Sequence, residues 1–321
     1  MYSRVSLCAA VSAALLSSVA QAAAYPEKAI RFIVPFPPGG NIDTHARIVG
    51  QKLGEAWRQQ MIIDNRPGAG GNIGMEIAAR TPPDGYTLVW SGTSTLAVGP
   101  HVYKSLSYTI DDFVPVVRAV DTQNVLVVHP SVPAQNVKQL IALTHARPGM
   151  LNFASSGTGT ISHLAGEMFK SMTGTSIVHI PYKGSSIAMT DLISGQVGIM
   201  WDSLTSAMPQ ARAGKLRAIA VTGLKRTPSY PELPTISESG LPGFEVINWL
   251  GILAPKGLPR ETVTRLNEQL VTILKTADMR ERMAVHGAEP GGGTSEEFGT
   301  FIRAEIGKWG KLVRSVGLRP E

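Results

Sequence analysis

Apolar positions along this chain fall into short continuous runs separated by stretches in which they recur at helical spacing. Ile30–Val34, Met61–Asp64 and Thr87–Trp90 read as strands, each too short for a helix and bounded by turn residues. Between them, Asp43–Ala56 carries Ile48, Val49 and Leu53 on one apolar face, and a second helix runs through Glu76–Arg80. Pro83-Asp84-Gly85 makes a turn before the third strand, and a polar Ser/Thr/Gly loop follows it. "VPVVRAV" and "NVLVVHP" read as two further strands, and Asn136–His145 as a helix stopped by Pro148-Gly149.

The pattern then repeats. "MLNFASSGTGTISHLAGEMFKSMTG" is a strand, a loop of small residues and a helix with Leu164, Met168 and Met172 at four-residue spacing. "SIVHIPYKGSSIAMTDLISGQVGIMWDSL" adds strand, loop, helix and strand, and "KLRAIAVTG" one strand more. "FEVINWLGILAPKGLP" opens a third block, with helices at about Arg260–Lys275, Met279–His286 and Ser295–Val316. Alternation of this kind predicts an α/β protein with largely parallel sheets. The last block suits a chain that returns to its first domain, with Ala119–Asn124 and Glu245–Trp249 as the two crossings of a hinge.

Length fits this organisation, since 321 residues suffice for two domains with separate cores. Composition (43% apolar, 17% charged, 33 Gly, 22 Pro) is that of a turn-rich globular protein. A formal charge of +6 with no Lys/Arg run interleaved with aromatics argues against nucleic acid and fits an anionic small molecule. Residues 1–24 read as a cleaved signal peptide: a positive charge by Arg4, an apolar Val5–Val19 and small-x-small sites at Ala20-Gln21-Ala22 and Ala22-Ala23-Ala24. The run is short and Ser-rich for a membrane anchor, and Cys8 lies too early for a lipoprotein. Cys8, the single cysteine, would leave with that segment, which removes disulfides, thiol catalysis and cysteine-ligated zinc from consideration.

Candidate chemistry lies in loops at strand ends. In "PFPPGGNID", Pro35, Pro37 and Pro38 stiffen an approach in which Gly39, Gly40 and Asn41 expose backbone donors at a helix start, a favourable place for an anion. Asp43 would cap that helix or brace the loop; a plain strand-to-helix turn has the same composition. "SSGTGT", Ser155 to Thr160, offers four hydroxyls and two glycines before a helix near Ile161, a neutral cup suited to a carboxylate, with a solvent-exposed capping loop as the alternative. "SGTST", Ser91 to Thr95, repeats that composition, and all three loops fall outside carboxyl ends of strands, where open α/β sheets bind ligands.

Enzyme signatures fail. There is no G-x-S-x-G, no G-x-x-x-x-G-K-[ST], no G-x-G-x-x-G in "GAGGNIG", and the seven histidines form no H-x-x-x-H pair. Ser162-His163 are adjacent on a helix and point to different faces, so His163 reads as a packing or polar-network residue. Asp202, after the buried-looking "VGIMW", is a ligand-orienting acceptor or a salt-bridge partner.

Taken in order, "YPEKAIRFIVPFPPGG" with Asp43 and Arg47, "NRPGAGGNIG", "PPDGYTL", "SSGTGTISHLAGEMF", "PYKG", "AGKLRAIAVT" and "NWLGILAPKGLP" resemble the tripartite tricarboxylate transporter substrate-binding family, the Bug-type periplasmic receptors, from Tyr25 to the C-terminus. The resemblance implies a two-domain Venus-flytrap protein with a ligand cleft between domains: residues 25–122 plus 249–321, and residues 123–248. It implies a monomer without cofactor, metal or catalytic residue that takes a small di- or tricarboxylate, aliphatic or aromatic, to membrane permease subunits. The expected ligand-binding set is Phe36, Pro37, Pro38, Gly39, Gly40 and Asn41 in the first loop and Ser91 and Thr93 in another. Ser156, Gly157, Thr158, Gly159, Thr160, His163 and Asp202 complete it from the facing domain. Many relatives carry a longer run of small residues where this chain has Pro37 to Ile42, a departure that bears on ligand identity. The competing reading is a secreted hydrolase or lyase with Ser156 or Ser162 as nucleophile, which lacks a motif-supported base.

Overall fold

Residues 25–315 and Gly317 are described by a computed structural model; the expected signal segment and Val316 lie outside the described residues. Strands and helices alternate as β1 (Ile30–Val34), α1 (Asn41–Trp57), β2 (Met61–Asn65), α2 (Asn72–Ala79), β3 (Thr87–Gly92), α3 (Gly99–Val102) and β4 (Phe113–Val128). The chain continues through α4 (Val137–Ala146), β5 (Asn152–Ser155), α5 (Ile161–Thr173), β6 (Val178–Pro181), α6 (Ser185–Ile193), β7 (Ile199–Ser203), α7 (Leu204–Arg212) and β8 (Arg217–Val221). It closes with β9 (Ile247–Pro255), α8 (Arg260–Leu274), α9 (Ala277–Ala284), β10 (Ala288–Gly292) and α10 (Ser295–Ser315).

Two sheets share one strand. The first runs β2-β1-β3-β9-β4, with β10 also on β4; the second runs β4-β7-β5-β6, with β8 also on β4. Pairing is parallel for β1–β2, β1–β3, β5–β6 and β5–β7 and antiparallel wherever β4 or β9 takes part. The expectation of largely parallel sheets is therefore corrected to mixed sheets. The reason is β4, which leaves the first sheet and enters the second without a crossover helix that would restore strand direction.

That strand is also where two expected strands prove to be one. Asp121, Thr122, Gln123 and Asn124 look like a polar break, yet within the extended chain they alternate: Thr122 and Asn124 are buried, Asp121 and Gln123 half-buried. Gln123 pairs with Ile247 of β9, and the next residue, Asn124, pairs with Ser203 of β7. Asn124 is held by Thr222, whose hydroxyl accepts from its N–H at 3.0 Å, and its own amide donates to the Trp201 carbonyl at 3.2 Å. The Ser/Thr/Gly loop expected after β3 is different as well. The strand runs to Gly92 and passes directly into a π-helical turn, Thr93–Val98, then α3. Gly92 is required there, because a Cβ would lie 2.4 Å from the Trp249 carbonyl oxygen. Strand β10, rich in Pro and Gly, gives no strand signal in the sequence and is fixed by pairing with β4.

The units that position the site follow ordinary logic. β1 is buried along almost its whole length, as a strand covered on both faces must be, and α1 lays Ile42, Ala46, Val49 and Leu53 on it. α1 ends at Arg58 in the left-handed conformation (φ 53°) and α5 at Gly174 (φ 66°), so both helices stop where an αL residue caps the last turn. Phe153, Leu164, Phe169 and Trp201 are fully buried under α5, each contributing about 1.5–3 kcal/mol by removal from water.

Candidate functional site

The carboxyl ends of β1, β3, β5 and β7 converge on a cavity of about 60 Å³. From one side come Phe36, Pro37, Gly40, Asn41 and Ile42, and the turn Gly92 to Thr95. From the other come Ser156, Ile161 and Ser162, then Ser185, Asp202 and Ser203. Asn124 of β4 with Asn248 and Leu250 of β9 form the floor, where the chain passes between the sheets.

In the first loop, Gly40 is the extended N-cap of α1 (φ −83°, ψ 174°), and the first intrahelical bond runs from Thr44 N to its carbonyl at 3.0 Å. The N–H groups of Asn41, Ile42 and Asp43 thus have no acceptor within the helix and present the positive end of its dipole. Asp43 braces rather than caps. Its Oδ2 accepts from Gly39 N at 2.9 Å and from Arg47 Nε at 2.9 Å, while Asn65 Nδ2 bridges its Oδ1 at 3.0 Å and the Phe36 carbonyl at 2.9 Å. Burial works to raise the Asp43 pKa, but the hydrogen bonds from Arg47, Gly39 and Asn65 outweigh it and hold the carboxyl below its ordinary value. Asn41 contributes a side chain too: its Oδ1 accepts from Thr205 Oγ1 at 3.2 Å, and its Nδ2 is buried with no acceptor among the described residues.

The facing loop is held by its own hydroxyls. Ser156 N donates to Ser162 Oγ at 2.9 Å, Thr160 Oγ1 donates to the Gly157 carbonyl at 2.7 Å, and Gly157 N donates to Ser155 Oγ at 3.2 Å. Gly159 N donates to His163 Nδ1 at 3.1 Å, so that nitrogen is unprotonated. The His163 ring stacks on His179 with centroids 3.9 Å apart, and His179 Nε2 lies 2.6 Å from Ser155 Oγ. Burial lowers the pKa of His163 to about 3 and of His179 to about 4, so both rings are neutral struts behind the loop. Asp202, 5% exposed, accepts from Ser185 Oγ at 2.5 Å and Ser206 Oγ at 2.6 Å, and burial raises its pKa.

Of the sequence-predicted residues, Phe36, Pro37, Gly40, Asn41, Thr93, Ser156 and Asp202 come together on the cavity wall. Pro38 and Gly39 are exposed, Ser91 is buried against Thr95 Oγ1 at 2.7 Å, and Gly157, Thr158, Gly159, Thr160 and His163 frame the loop rather than line the cavity. Asp202 has no Lys or Arg partner among the described residues, which removes the salt-bridge alternative. Ile42, Ser94, Thr95, Asn124, Ser162, Ser185, Ser203, Asn248 and Leu250 line the cavity without having been singled out as ligand contacts. Ser162 had a signal, its place in the first turn of α5; Asn124 and Asn248 had none, because only the pairing of β4 with β7 and with β9 brings them to the floor.

The two sides also touch directly. Ile161 N donates to Ser94 Oγ at 3.1 Å, Tyr103 Oη to the Thr158 carbonyl at 2.7 Å, and Thr205 Oγ1 to both Asn41 Oδ1 and the His286 carbonyl. Among the described residues no His, Asp or Glu hydrogen-bonds to Ser156 or Ser162, no three His, Cys, Asp or Glu side chains gather around one point as metal ligands, and no helix is long and apolar enough to cross a membrane. The arrangement can hold an anion through neutral donors.

Comparison with known proteins agrees with this geometry. Residues 45–318 match the tripartite tricarboxylate transporter family receptor, TctC. Protein BugT of Bordetella pertussis is 36% identical over 311 residues, covering 96% of this chain and 95% of BugT. Among solved structures, R. palustris Rpa4515 with adipate superposes with a TM-score of 0.91 at 37% identity, over 92% of this chain and all of that one. MatC (Rpa3494) from Rhodopseudomonas palustris with bound malate gives 0.85 at 29% identity, over 90% of this chain and all of that one. A structure of the periplasmic binding protein BugD superposes with a TM-score of 0.89 at 34% identity, over 92% of this chain and all of that one, and the family is one of solute-binding receptors with the two-domain periplasmic-binding-protein fold rather than of enzymes. The chain belongs to the TctC family of tripartite tricarboxylate transporter receptors, the Bug-type periplasmic solute-binding proteins.

Proposed function

We propose that the protein captures a small carboxylate in this cavity, closes on it, and delivers it to the membrane permease subunits of a tripartite transporter. The observation that carries the reading is the meeting of a helix N-terminus and neutral hydroxyls in one cavity. Gly40, Asn41 and Ile42 at the start of α1, whose first N–H groups have no acceptor within the helix, line it opposite Ser156 and Ser162. Relatives holding adipate and malate support the ligand class. Gly40, Asn41, Ile42, Thr93, Ser156, Ser162 and Asp202 are the contacts; Pro38, Gly39, Ser91, Gly157 to Thr160 and His163 hold those contacts in place. Export by residues 1–24 and action as a monomer belong to the same reading.

The lobes of the flytrap are residues 25–122 plus 249–321 and residues 123–248, a division supported by the change of partners in β4 between Gln123 and Asn124. Release without a fixed Arg clamp suits a receptor that must hand its ligand on. The test is a thermal-shift and calorimetric screen of refolded protein against mono-, di- and tricarboxylates. A ligand at about 100 times its Kd adds about 2.7 kcal/mol of stability, and a flat response across the panel refutes the reading.

A further inference from the structure

Hydroxyls, amides and backbone N–H groups make up the polar wall of the cavity, and among the described residues Asp202 is the single ionisable side chain on it. Ser185, Ser206 and the Ser203 N–H supply its hydrogen bonds, with both hydroxyls on Oδ2. A carboxylate offers about four acceptor sites, so one on the Oδ1 side is left over. No ammonium or guanidinium lines the cavity to take it.

Asp202 lines the same cavity as Gly40, Asn41 and Ile42 at the start of α1 and as Ser156. A ligand anchored by one carboxylate at the α1 N-terminus and Ser156 meets Asp202 with its remaining atoms. A second carboxylate there sets two acid groups side by side, and an alkyl group leaves the spare acceptor unpaired. A donor on the ligand satisfies it.

We infer that the ligand carries, beside its anchoring carboxylate, a hydroxyl or ammonium that donates to Asp202, so that this receptor selects hydroxy- or amino-substituted carboxylates over their unsubstituted parents. The inference rests on the carboxylate reading above and adds the second recognition element to it.

Calorimetry at pH 7 tests it with two matched series, butyrate, 3-hydroxybutyrate and 3-aminobutyrate, and succinate, malate and aspartate, each in two buffers of different ionisation enthalpy. The donor-bearing members of at least one series should bind about ten- to a hundredfold more tightly than the parent, as for a hydrogen bond to a charged group, without net proton uptake. Asp202→Ala should bring the ratio within that series close to one, a change that a merely weakened loop does not produce because it lowers all members alike. Asp202→Asn keeps an acceptor and loses the charge: a hydroxyl preference survives it and an ammonium preference falls. Equal binding within both series, or tighter binding of the unsubstituted parent in both, with or without proton uptake, overturns the inference and leaves the carboxylate receptor standing. Failure of all six ligands to bind refutes this inference, and the carboxylate reading falls only if the wider panel is flat too.

Discussion

Thr205 of α7 donates to Asn41 Oδ1 of α1 at 3.2 Å and shares the same proton with the His286 carbonyl at 3.0 Å. One hydroxyl thus ties the helix behind Asp202 to the start of α1 at the cavity wall, and it joins residues 164 apart in sequence. On the proposed reading, closure and ligand grip meet at that point.

Replacing it separates the two. Thr205→Val keeps shape and removes the donor, at a cost of about 0.5–1.5 kcal/mol to the closed arrangement. Affinity for the ligand should fall about two- to tenfold, with an unchanged fold by circular dichroism; calorimetry beside small-angle scattering of the free protein reads both effects.

Gly159 has a φ of 75° and lies across the interface from α3, where an added Cβ would be 2.3 Å from Val102 Cγ2. Gly159→Val therefore obstructs closure rather than filling the cavity. Ligand-induced compaction in small-angle scattering should disappear, and affinity with it, while the melting temperature of the free protein drops by only a few degrees.

Asp43 is the brace of the first loop, and its folded pKa lies below the value in the unfolded chain. Its contribution is accordingly present above pH of about 4 and is lost as pH falls through the lower folded pKa. Asp43→Asn should cost about 1–3 kcal/mol at pH 7, and the difference from wild type should shrink on acidification below pH 4, measured by denaturant unfolding.

His45, His163 and His179 have pKa values lowered by burial to about 4, 3 and 4. The unfolded chain binds their protons first, so stability is full above pH of about 6.5 and declines as pH falls toward the folded values. The slope should approach at most about 1.4 kcal/mol per pH unit for each fully buried ring, less for the partly exposed His179. Urea titrations between pH 7 and pH 4.5 check it, and the pair His163→Gln with His179→Gln should flatten the slope.

Much of this was open to a reader of the chain. Ile30–Val34 is apolar at every position but Arg31, with no polar alternation from Phe32 to Val34, and such a strand needs cover on both faces, so its identity follows from composition. The start of α1 is marked by Gly39-Gly40 and its apolar face by residues three and four apart. Ser156 and Ser162 sit in a loop and first helical turn whose small polar residues announce a hydrogen-bonding role. Gly157, Gly159 and His163 share the same stretch and announce it equally, yet their hydrogen bonds and contacts face the loop itself and Val102. Composition records which groups a loop has and is silent on the direction each one points.

What the sequence alone determined is local: which segments extend or coil, where donors cluster at helix starts, and the ordered motifs that mark the family. These depend on side-chain period and on backbone freedom within a few residues. Tertiary structure decided the rest: that Asp121 to Asn124 continue a strand, that Pro- and Gly-rich Ala288–Gly292 becomes one, and that Asn124, Asn248 and Asp202 share a cavity with Asn41. Each of these depends on a partner distant in the chain, because a ladder hydrogen bond or a buried wall belongs to two segments at once and neither segment carries it by itself.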